Sequence, residues 1–398
     1  MNHQIKIFNS ISKVEPDQWA LVHDQLPTSM NYQYITLLEE EHKDEIDFYY
    51  ALVIKNNLTV GIICFQLINF KGAYVKNFFR QEVDRNWWKD LFFKLFYRVL
   101  DFINWKLLTT GNIYFTGDKG IYLDSSIQLE EGVKIIKDCF QEVHQFCNKK
   151  VTAYMVNNIY DAKDQMIHQY INQERYAKYP VDPDMFMTIK PSWNNFEDYT
   201  KDLSSKYRVR LRKVYKDSSV FETKKLTRSQ IISLDSELYQ LYLNTAEKVD
   251  LNLGNLCQKY FTKMAELWGD DFFVMGYFLE NRLVGFISIL KDGTALDANY
   301  MGIDYDVNGE FKLYNRMLLD LVEVSIQLKV AILHLGRTAT EMKSTIGATS
   351  KQMHIYLRGT NRLVNKGMLL FEPYFEAHNI HCVILSKLTT NNYDLKTN

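Results

Sequence analysis

The chain has 398 residues with a formal net charge of −1, of which 46% are hydrophobic and 24% are charged. This length exceeds one ordinary hydrophobic core and predicts two domains. The near-zero charge excludes a general attraction to nucleic acid or to an anionic membrane, so an electropositive site has to be a local concentration of cations.

Targeting and redox features are few. The first residues have neither the basic nor the apolar region of a secretory signal, and no apolar run approaches the ~20 residues that cross a bilayer. We therefore expect a cytoplasmic protein without a transmembrane segment. The five cysteines are scattered, without CxxC or Cys/His spacing, which predicts reduced thiols and no metal site.

Residues 271–347 carry the clearest pattern in the chain. Apolar runs and turn residues predict three strands, a helix and a further strand, at residues 272–278, 283–290, 295–303, 311–328 and 330–335. The last strand can lie parallel to its predecessor only through a helical crossover. We therefore expect a site in the segments that follow those strands, residues 304–309 and 336–347.

The first half of the chain echoes this order. Strands are predicted at 47–54 and 58–70 around an Asn-rich turn, followed by an amphipathic helix over 128–146 and a strand over 151–156. Two further predictions concern other segments: aromatic residues at helical spacing predict a helix over 86–109, and closing strands with a turn are predicted at 353–357, 363–374 and 381–385. The whole is a mixed-sheet α/β (α+β) protein with units at 1–185 and 186–398, of which the second is the predicted catalytic half.

Residues 204–216 are the most basic stretch of the chain. On a helix, an apolar stripe forms on one side, and six cations without an intervening acid flank it. Two interpretations stay open: a solvated helix that buries only its stripe, or a site for phosphate or carboxylate in which Arg208 and Arg212 contact the substrate.

Three stretches together resemble a known family. FEDYTKDLSSKYRVRLRKVYK (196–216), FKLYNRMLLDLVEVSIQLKVAILHLGR (311–337) and EMKSTIGA (341–348) are similar in order and spacing to segments of the GNAT-type acyl-CoA N-acyltransferases. They resemble more specifically the Fem-type branch, in which two such units stand in tandem. Met342 occupies a position where that family usually has an aromatic residue.

The resemblance implies an acyl-CoA co-substrate and no metal. It places the donor along the strand that contains Met301 and Gly302, and along the following loop and helix start, at Asn308, Gly309, Lys312 and Asn315. That loop has one glycine and two carboxylates, Asp306 and Glu310, instead of a glycine-rich phosphate loop. The choice between coenzyme A and another donor therefore stays open.

The candidate chemical groups follow from position. Arg337 directly follows a buried-type strand, and Lys343 lies one short loop later, so both are expected to contact an anionic group of donor or acceptor. Asp297 and Tyr300 are the polar groups on the donor strand that could accept or relay a proton, and with Arg337 they form the predicted catalytic set.

The predicted function is transfer of an acyl group from acetyl-CoA or another acyl-CoA to an amine on a small molecule or a cell-wall or lipid precursor. DNA is not an expected partner. One alternative is Fem-type aminoacyl transfer from tRNA, which the net charge disfavours. The other is a non-catalytic module that binds an anionic precursor.

Overall fold

The computed structural model describes residues 3–373 except 23–24, 76–97, 99, 101, 118, 161–163 and 250–251. It is a mixed α/β protein that divides into two compact units. Unit 1 comprises Met1–Val181 and a later segment that starts at Gln352, and unit 2 comprises Asp182–Lys351. The predicted fold class is confirmed. The sequence predicts a different division, in which the residues after 351 belong to the second unit, 186–398.

The described residues of unit 1 before residue 177 form six strands and four helices. They are β1 (Gln4–Phe8), α1 (Pro16–Ala20), α2 (Tyr32–His42), β2 (Asp47–Lys55), β3 (Leu58–Lys71), β4 (Asn104–Thr110), β5 (Ile121–Leu123), α3 (Leu129–Phe146), β6 (Ala153–Tyr160) and α4 (Gln165–Gln173). Four strands lie in the order β1-β2-β3-β4, with β6 parallel to β4. The apolar stripe of α3 is buried on this sheet, as its spacing predicts.

Unit 2 is built on strand β7 (Ala177–Thr188), whose last residues pair within it. The elements that follow are α5 (Phe196–Asp202), α6 (Ser205–Asp217), β8 (Glu222–Lys225), α7 (Arg228–Ser233), α8 (Asp235–Ala246), α9 (Tyr260–Trp268), β9 (Phe272–Leu279), β10 (Arg282–Asp292), β11 (Ala295–Ile303), α10 (Tyr305–Phe311), α11 (Leu313–Gln327), β12 (Ile332–Gly336) and α12 (Thr340–Ser344). The strand order is β7-β12-β11-β10-β9-β8.

The chain ends its described part in unit 1. Strand β13 (Thr349–Gly359) pairs antiparallel with β6 from Met353 onward, and residues 362–373 are helical. The predicted strand at 353–357 is therefore present, whereas the predicted strand at 363–374 is wrong over its described residues. The predicted strand at 381–385 lies outside the described residues.

The two units share one succession of elements. Each contains a hairpin whose two-residue turn has positive φ at both positions, Asn56-Asn57 in unit 1 and Glu280-Asn281 in unit 2. Such turns match the right-handed twist of paired strands. Each unit then continues with a strand, a helical crossover and a parallel strand: β4–α3–β6 and β11–α11–β12. The pattern repeat seen in the sequence is thus a repeat of topology.

The structure corrects two other predictions, one through strand pairing and one through a helix cap. Residues 104–110 form strand β4, not the end of a helix over 86–109, because they pair with β3 on one side and β6 on the other. Residues 86–97 of that prediction lie outside the described residues. The predicted loop at 304–309 is largely helical, since Asp304 caps α10 by accepting a hydrogen bond from the Asp306 amide at 3.1 Å.

Crossover helix α11 forms the centre of the unit 2 core. Leu318, Leu321 and Val322 are fully buried against β10, β11 and β12. Within the described residues, no helix is long and apolar enough to cross a membrane.

The close packing of α8 on β11 generates a prediction about glycine. A Cβ at Gly302 would meet the side chain of Phe286 and lie 2.6 Å from the backbone carbonyl carbon of Leu241 on α8. We expect Gly302→Ala to lower the free energy of unfolding by about 1–3 kcal/mol in urea titrations, because helix and strand have to separate.

Gly309 provides the matched control for Gly302→Ala. It lies in α10, and a Cβ there would meet nothing within 4 Å. Gly309→Ala is expected to leave stability unchanged or to raise it by up to about 1 kcal/mol through helix propensity. Equal losses in the two variants would contradict the packing argument.

Candidate functional site

The central feature of unit 2 is a divergence of two parallel strands. Pairing between β11 and β12 is confined to three residue pairs, from Ala295↔Ile332 to Asp297↔His334. Beyond Asp297, β11 continues for six residues along β10, while β12 ends two residues after His334. Over residues 298–303, β11 therefore has no ladder partner in β12.

A bulge in β11 produces this divergence. The register between β10 and β11 shifts after Ser288, so that Asn299 has no residue opposite it. The Ser288 hydroxyl fills the gap: it accepts a hydrogen bond from the Tyr300 amide at 3.0 Å and donates to the Tyr300 carbonyl at 3.1 Å. A bulge increases local strand twist, which turns the second half of β11 away from β12.

The predicted donor-strand residues are held by packing. The ring of Tyr300 lies edge-on to Tyr242 and Tyr260, with centroid distances of 5.6 and 5.5 Å. Met301 packs against the core on the α11 side, and Gly302 lies under Leu241 of α8. Their side-chain faces are therefore occupied by protein, and the backbone of this segment is what remains for a donor.

Asp297 stands at the point where the strands part. It is half-buried, and burial, with added repulsion from Asp184 and Asp292, raises the pKa of its carboxyl to about 7. A carboxylate of this kind can accept a proton near neutral pH, as a general base requires. His334 is its register partner on β12.

Asp184 was missed by the sequence predictions, although it is 4% exposed and electrostatically coupled to Asp297. It precedes the part of β7 that pairs with β12, and its negative charge also acts on Lys343. The Asp-Pro-Asp sequence at 182–184, set within a buried strand, was the available signal, because buried carboxylates are rare unless they serve a partner or a site.

Lys343 is a buried ammonium directed at the backbone. Its Nζ donates to the carbonyls of Gly336 at 3.1 Å and Arg337 at 2.5 Å, and the residue is 2% exposed. Burial lowers its pKa to about 7, although Asp184 and Asp182 oppose the shift. Lys343 therefore holds the segment after β12 in place through hydrogen bonds to its carbonyls. A side chain that contacts substrate would instead extend into open space.

The segment fastened by Lys343 carries Arg337. Gly336, Thr338 and Ala339 have positive φ, so the chain turns sharply on both sides of Arg337 directly after β12. The structure thus places Arg337 at the end of the strand that parts from β11, next to the carbonyl that Lys343 binds. This is the position predicted for it.

The side chains of the predicted donor loop hydrogen-bond within the loop and to the start of α11. The Asn308 side chain accepts a hydrogen bond from the Tyr314 amide at 2.8 Å, which satisfies one amide at the start of α11. Lys312, in a left-handed conformation, donates from Nζ to the Gly309 carbonyl at 2.7 Å. Asn315 lies in the first turn of α11 and is half-buried. These residues are adjacent to one another, as predicted, and at the helix start.

The two predicted substrate arginines of α6 differ in their surroundings. Arg208 donates to the carbonyls of Lys201 and Leu203, at 3.1 and 2.9 Å, and so closes the carboxyl end of α5. Arg212 is exposed to solvent. The structure does not bring either of them together with Asp297 or Lys343 by a recorded contact.

In the part of the chain that the structure describes, no cluster of side chains is available for metal binding or thiol chemistry. No group of three or more His, Cys, Asp or Glu side chains there is arranged to hold a metal ion. Cys139 and Cys147 are buried, Cys64 and Cys257 are half-buried, and Cys382 lies outside the described residues.

The buried ammonium of Lys343 predicts a pH-dependent stability. The pKa of Lys343 is lowered to about 7 in the folded state. Between pH 7 and the ordinary lysine pKa, the unfolded chain therefore carries a proton on this side chain, whereas the folded chain does not. The contribution to the free energy of unfolding is therefore full at high pH and is lost as pH falls toward 7. Relative to Lys343→Met, the wild type should gain about 2 kcal/mol between pH 7 and about pH 9 in urea titrations.

Lys43→Met, at an exposed site, controls for the loss of one positive charge. A wild-type curve parallel to that of Lys343→Met across this range would show that the ammonium is not desolvated in the folded protein.

Comparison with known proteins gives a result at the level of structure. No protein-family model and no curated protein sequence matches the chain. The crystal structure of FemX is similar, with a TM-score of 0.54 at 10% identity over 94% of this chain and 100% of that one. A tandem GNAT protein from the clavulanic acid biosynthesis pathway is also similar, with a TM-score of 0.53 at 9% identity over 90% and 99%. The chain therefore has the tandem GNAT fold shared by FemX, which confirms the resemblance seen in its sequence.

Proposed function

We propose that unit 2 is an N-acyltransferase that moves an acyl group from acetyl-CoA or another acyl-CoA to an amine on a small molecule or on a cell-wall or lipid precursor. The observation that carries this proposal is the parting of β11 from β12 after Asp297. An extended donor arm can add to an open strand edge by backbone hydrogen bonds, as peptides do in β-augmentation. The similarity in fold to the tandem GNAT protein, whose description names AcCoA, supports the same donor.

The transfer chemistry needs few protein groups. Asp297 accepts a proton from the acceptor ammonium, and the free amine nitrogen attacks the thioester carbonyl carbon. The tetrahedral intermediate loses the second proton of its nitrogen to solvent and collapses with cleavage of the carbon–sulfur bond, and the thiolate takes a proton from solvent. Backbone amides of residues 298–302, apart from the Tyr300 amide that donates to Ser288, are the candidate donors to the developing oxyanion. Tyr300, fixed by its two aromatic neighbours, holds the strand in place for this step.

The anionic part of the donor requires positive charge nearby. Arg337, at the end of β12, is the candidate side chain, since a guanidinium pairs with phosphate bidentately. The start of α11 adds its amides and the positive end of the helix dipole. Asn308, Lys312 and Asn315 lie there, whereas the exposed Asp306 and Glu310 disfavour an anion on the neighbouring face of α10.

Asp297 supplies the first test. Asp297→Asn should lower kcat for acyl-CoA-dependent thiol release by about 10²–10⁴-fold, because the base is lost. In the wild type, kcat/KM should fall as pH drops through about 7, where the carboxylate becomes protonated. The thermal stability of Asp297→Asn at pH 8 should be unchanged or higher, since the folded state disfavours the charged form.

Asp292→Asn is the matched control for Asp297→Asn. Asp292 is exposed, and its charge contributes to the raised pKa of Asp297. Its removal should leave the maximal rate within about twofold and should shift the acidic limb to lower pH. An Asp297→Asn variant with wild-type turnover would remove Asp297 from the mechanism.

The identity of the donor is tested by ligand-induced stabilisation. Acetyl-CoA is expected to raise the melting temperature of the wild type, and Arg337→Ala should abolish most of this shift. Turnover is then measured as free thiol released with a panel of amines. Stabilisation by acyl-CoA without turnover on any amine would support the non-catalytic module. Failure of acyl-CoA and aminoacyl-tRNA alike to stabilise the protein would refute the transferase proposal.

Aminoacyl transfer from tRNA is the second candidate, and one observation favours it. Helix α6 carries a concentration of exposed cations in a chain of net charge −1. Stabilisation by aminoacyl-tRNA but not by acyl-CoA would select this donor for the same strand edge.

A further inference from the structure

Helix α6 presents a cationic face that no step of the acyl-CoA-dependent transfer uses. Its opposite side, formed by Tyr207, Leu211, Val214 and Tyr215, packs against the unit 2 core. The helix contains six Lys and Arg residues, and Asp217 at its last position is its single acid. A helix of this length presents a straight face of about 20 Å.

Two of the six cations are already engaged. Arg208 closes α5 through backbone carbonyls, and the guanidinium of Arg210 lies 5.7 Å from the ring centre of Tyr207. The other four, Lys206, Arg212, Lys213 and Lys216, are exposed. None of these four takes part in an ion pair recorded among the described residues, so their charge is directed to solvent.

An apolar side chain lies at the middle of these four cations. Val209 is 64% exposed, and helical spacing sets Lys206, Arg212, Lys213 and Lys216 at three, four or seven positions from it. Clusters of lysine and arginine are attracted to the negative surface potential of anionic lipids, and an apolar side chain among them can enter the headgroup region. The helix has no exposed aromatic residue on this face for base stacking, since Tyr207 and Tyr215 are turned to the core.

We infer that the face of α6 formed by Lys206, Val209, Arg212, Lys213 and Lys216 docks peripherally on an anionic phospholipid bilayer. Each cation near such a surface gains from its negative potential, and a flat surface meets all of a straight face at once. The remainder of the chain has a net negative charge, because the helix is strongly positive and the whole is −1. The anionic bilayer therefore attracts this face of α6 and repels the remainder of the protein, so the protein binds the bilayer in one orientation.

Cosedimentation of the full chain with vesicles tests this inference. The assay contains neither an acyl donor nor an acceptor, so its outcome is independent of the proposed acyl transfer. The wild type should bind vesicles of mixed phosphatidylglycerol and phosphatidylcholine, should not bind phosphatidylcholine alone, and should dissociate at high salt. The variant K206Q/R212Q/K213Q/K216Q should lose about 100-fold or more of its partition coefficient. Val209→Ser should lose several-fold.

The matched control is K43Q/K134Q/K150Q/K259Q, which removes four exposed lysines from other surfaces and should retain wild-type binding. Circular dichroism checks that every variant is folded.

Three results would overturn the inference. The first is no binding of the wild type to anionic vesicles, and the second is equal loss in the control and α6 variants. The third is binding of the α6 face to structured RNA, unaffected by Val209→Ser, without binding to vesicles, which would assign the face to a nucleic acid.

Discussion

The parting of β11 from β12 after three residue pairs is the constraint on which the site of unit 2 depends. The right-handed crossover through α11 requires the strands to be parallel neighbours, while the bulge at Asn299 forces them to separate. Neither requirement alone would produce an opening. Together they leave the second half of β11, directly after Asp297, without a ladder partner in β12.

The support around this opening explains why its polar groups are buried. Helix α8 approaches β11 so closely that Gly302 has no room for a Cβ, and Tyr300 is held between two tyrosines. On the other side, Lys343 binds the segment after β12 through two carbonyls. The charge of Asp184 acts on both Asp297 and Lys343, so the strand end and the following turn share one electrostatic environment. Such shared burial is how a fold sets pKa values near neutrality.

A second buried network connects the site helix to the cationic helix. Asp320 on α11, 3% exposed, accepts hydrogen bonds from Tyr277 at 2.9 Å and from Arg316 Nε at 2.7 Å. The guanidinium of Arg316 in turn lies 4.8 Å from the ring centre of Tyr215 on α6. A buried charge fully engaged in this way fixes geometry more than it adds stability. Helix α6 is thus joined to α11 through Tyr215, in addition to the packing of its apolar side on the core.

The sequence by itself determined the hairpins, the crossover and the apolar face of α6, because alternation, helical spacing and turn residues are local properties. It also pointed to Arg337 and Lys343 by their place after a strand, and to Asp297 as a polar group on the donor strand; the functional roles of these residues stay predictions. Only the tertiary structure decided that residues 104–110 are a strand, that Lys343 faces the backbone and that the charge of Asp184 acts on Asp297 and Lys343. Pairing across a sheet and burial depend on residues distant in the chain, and for these local patterns carry no signal.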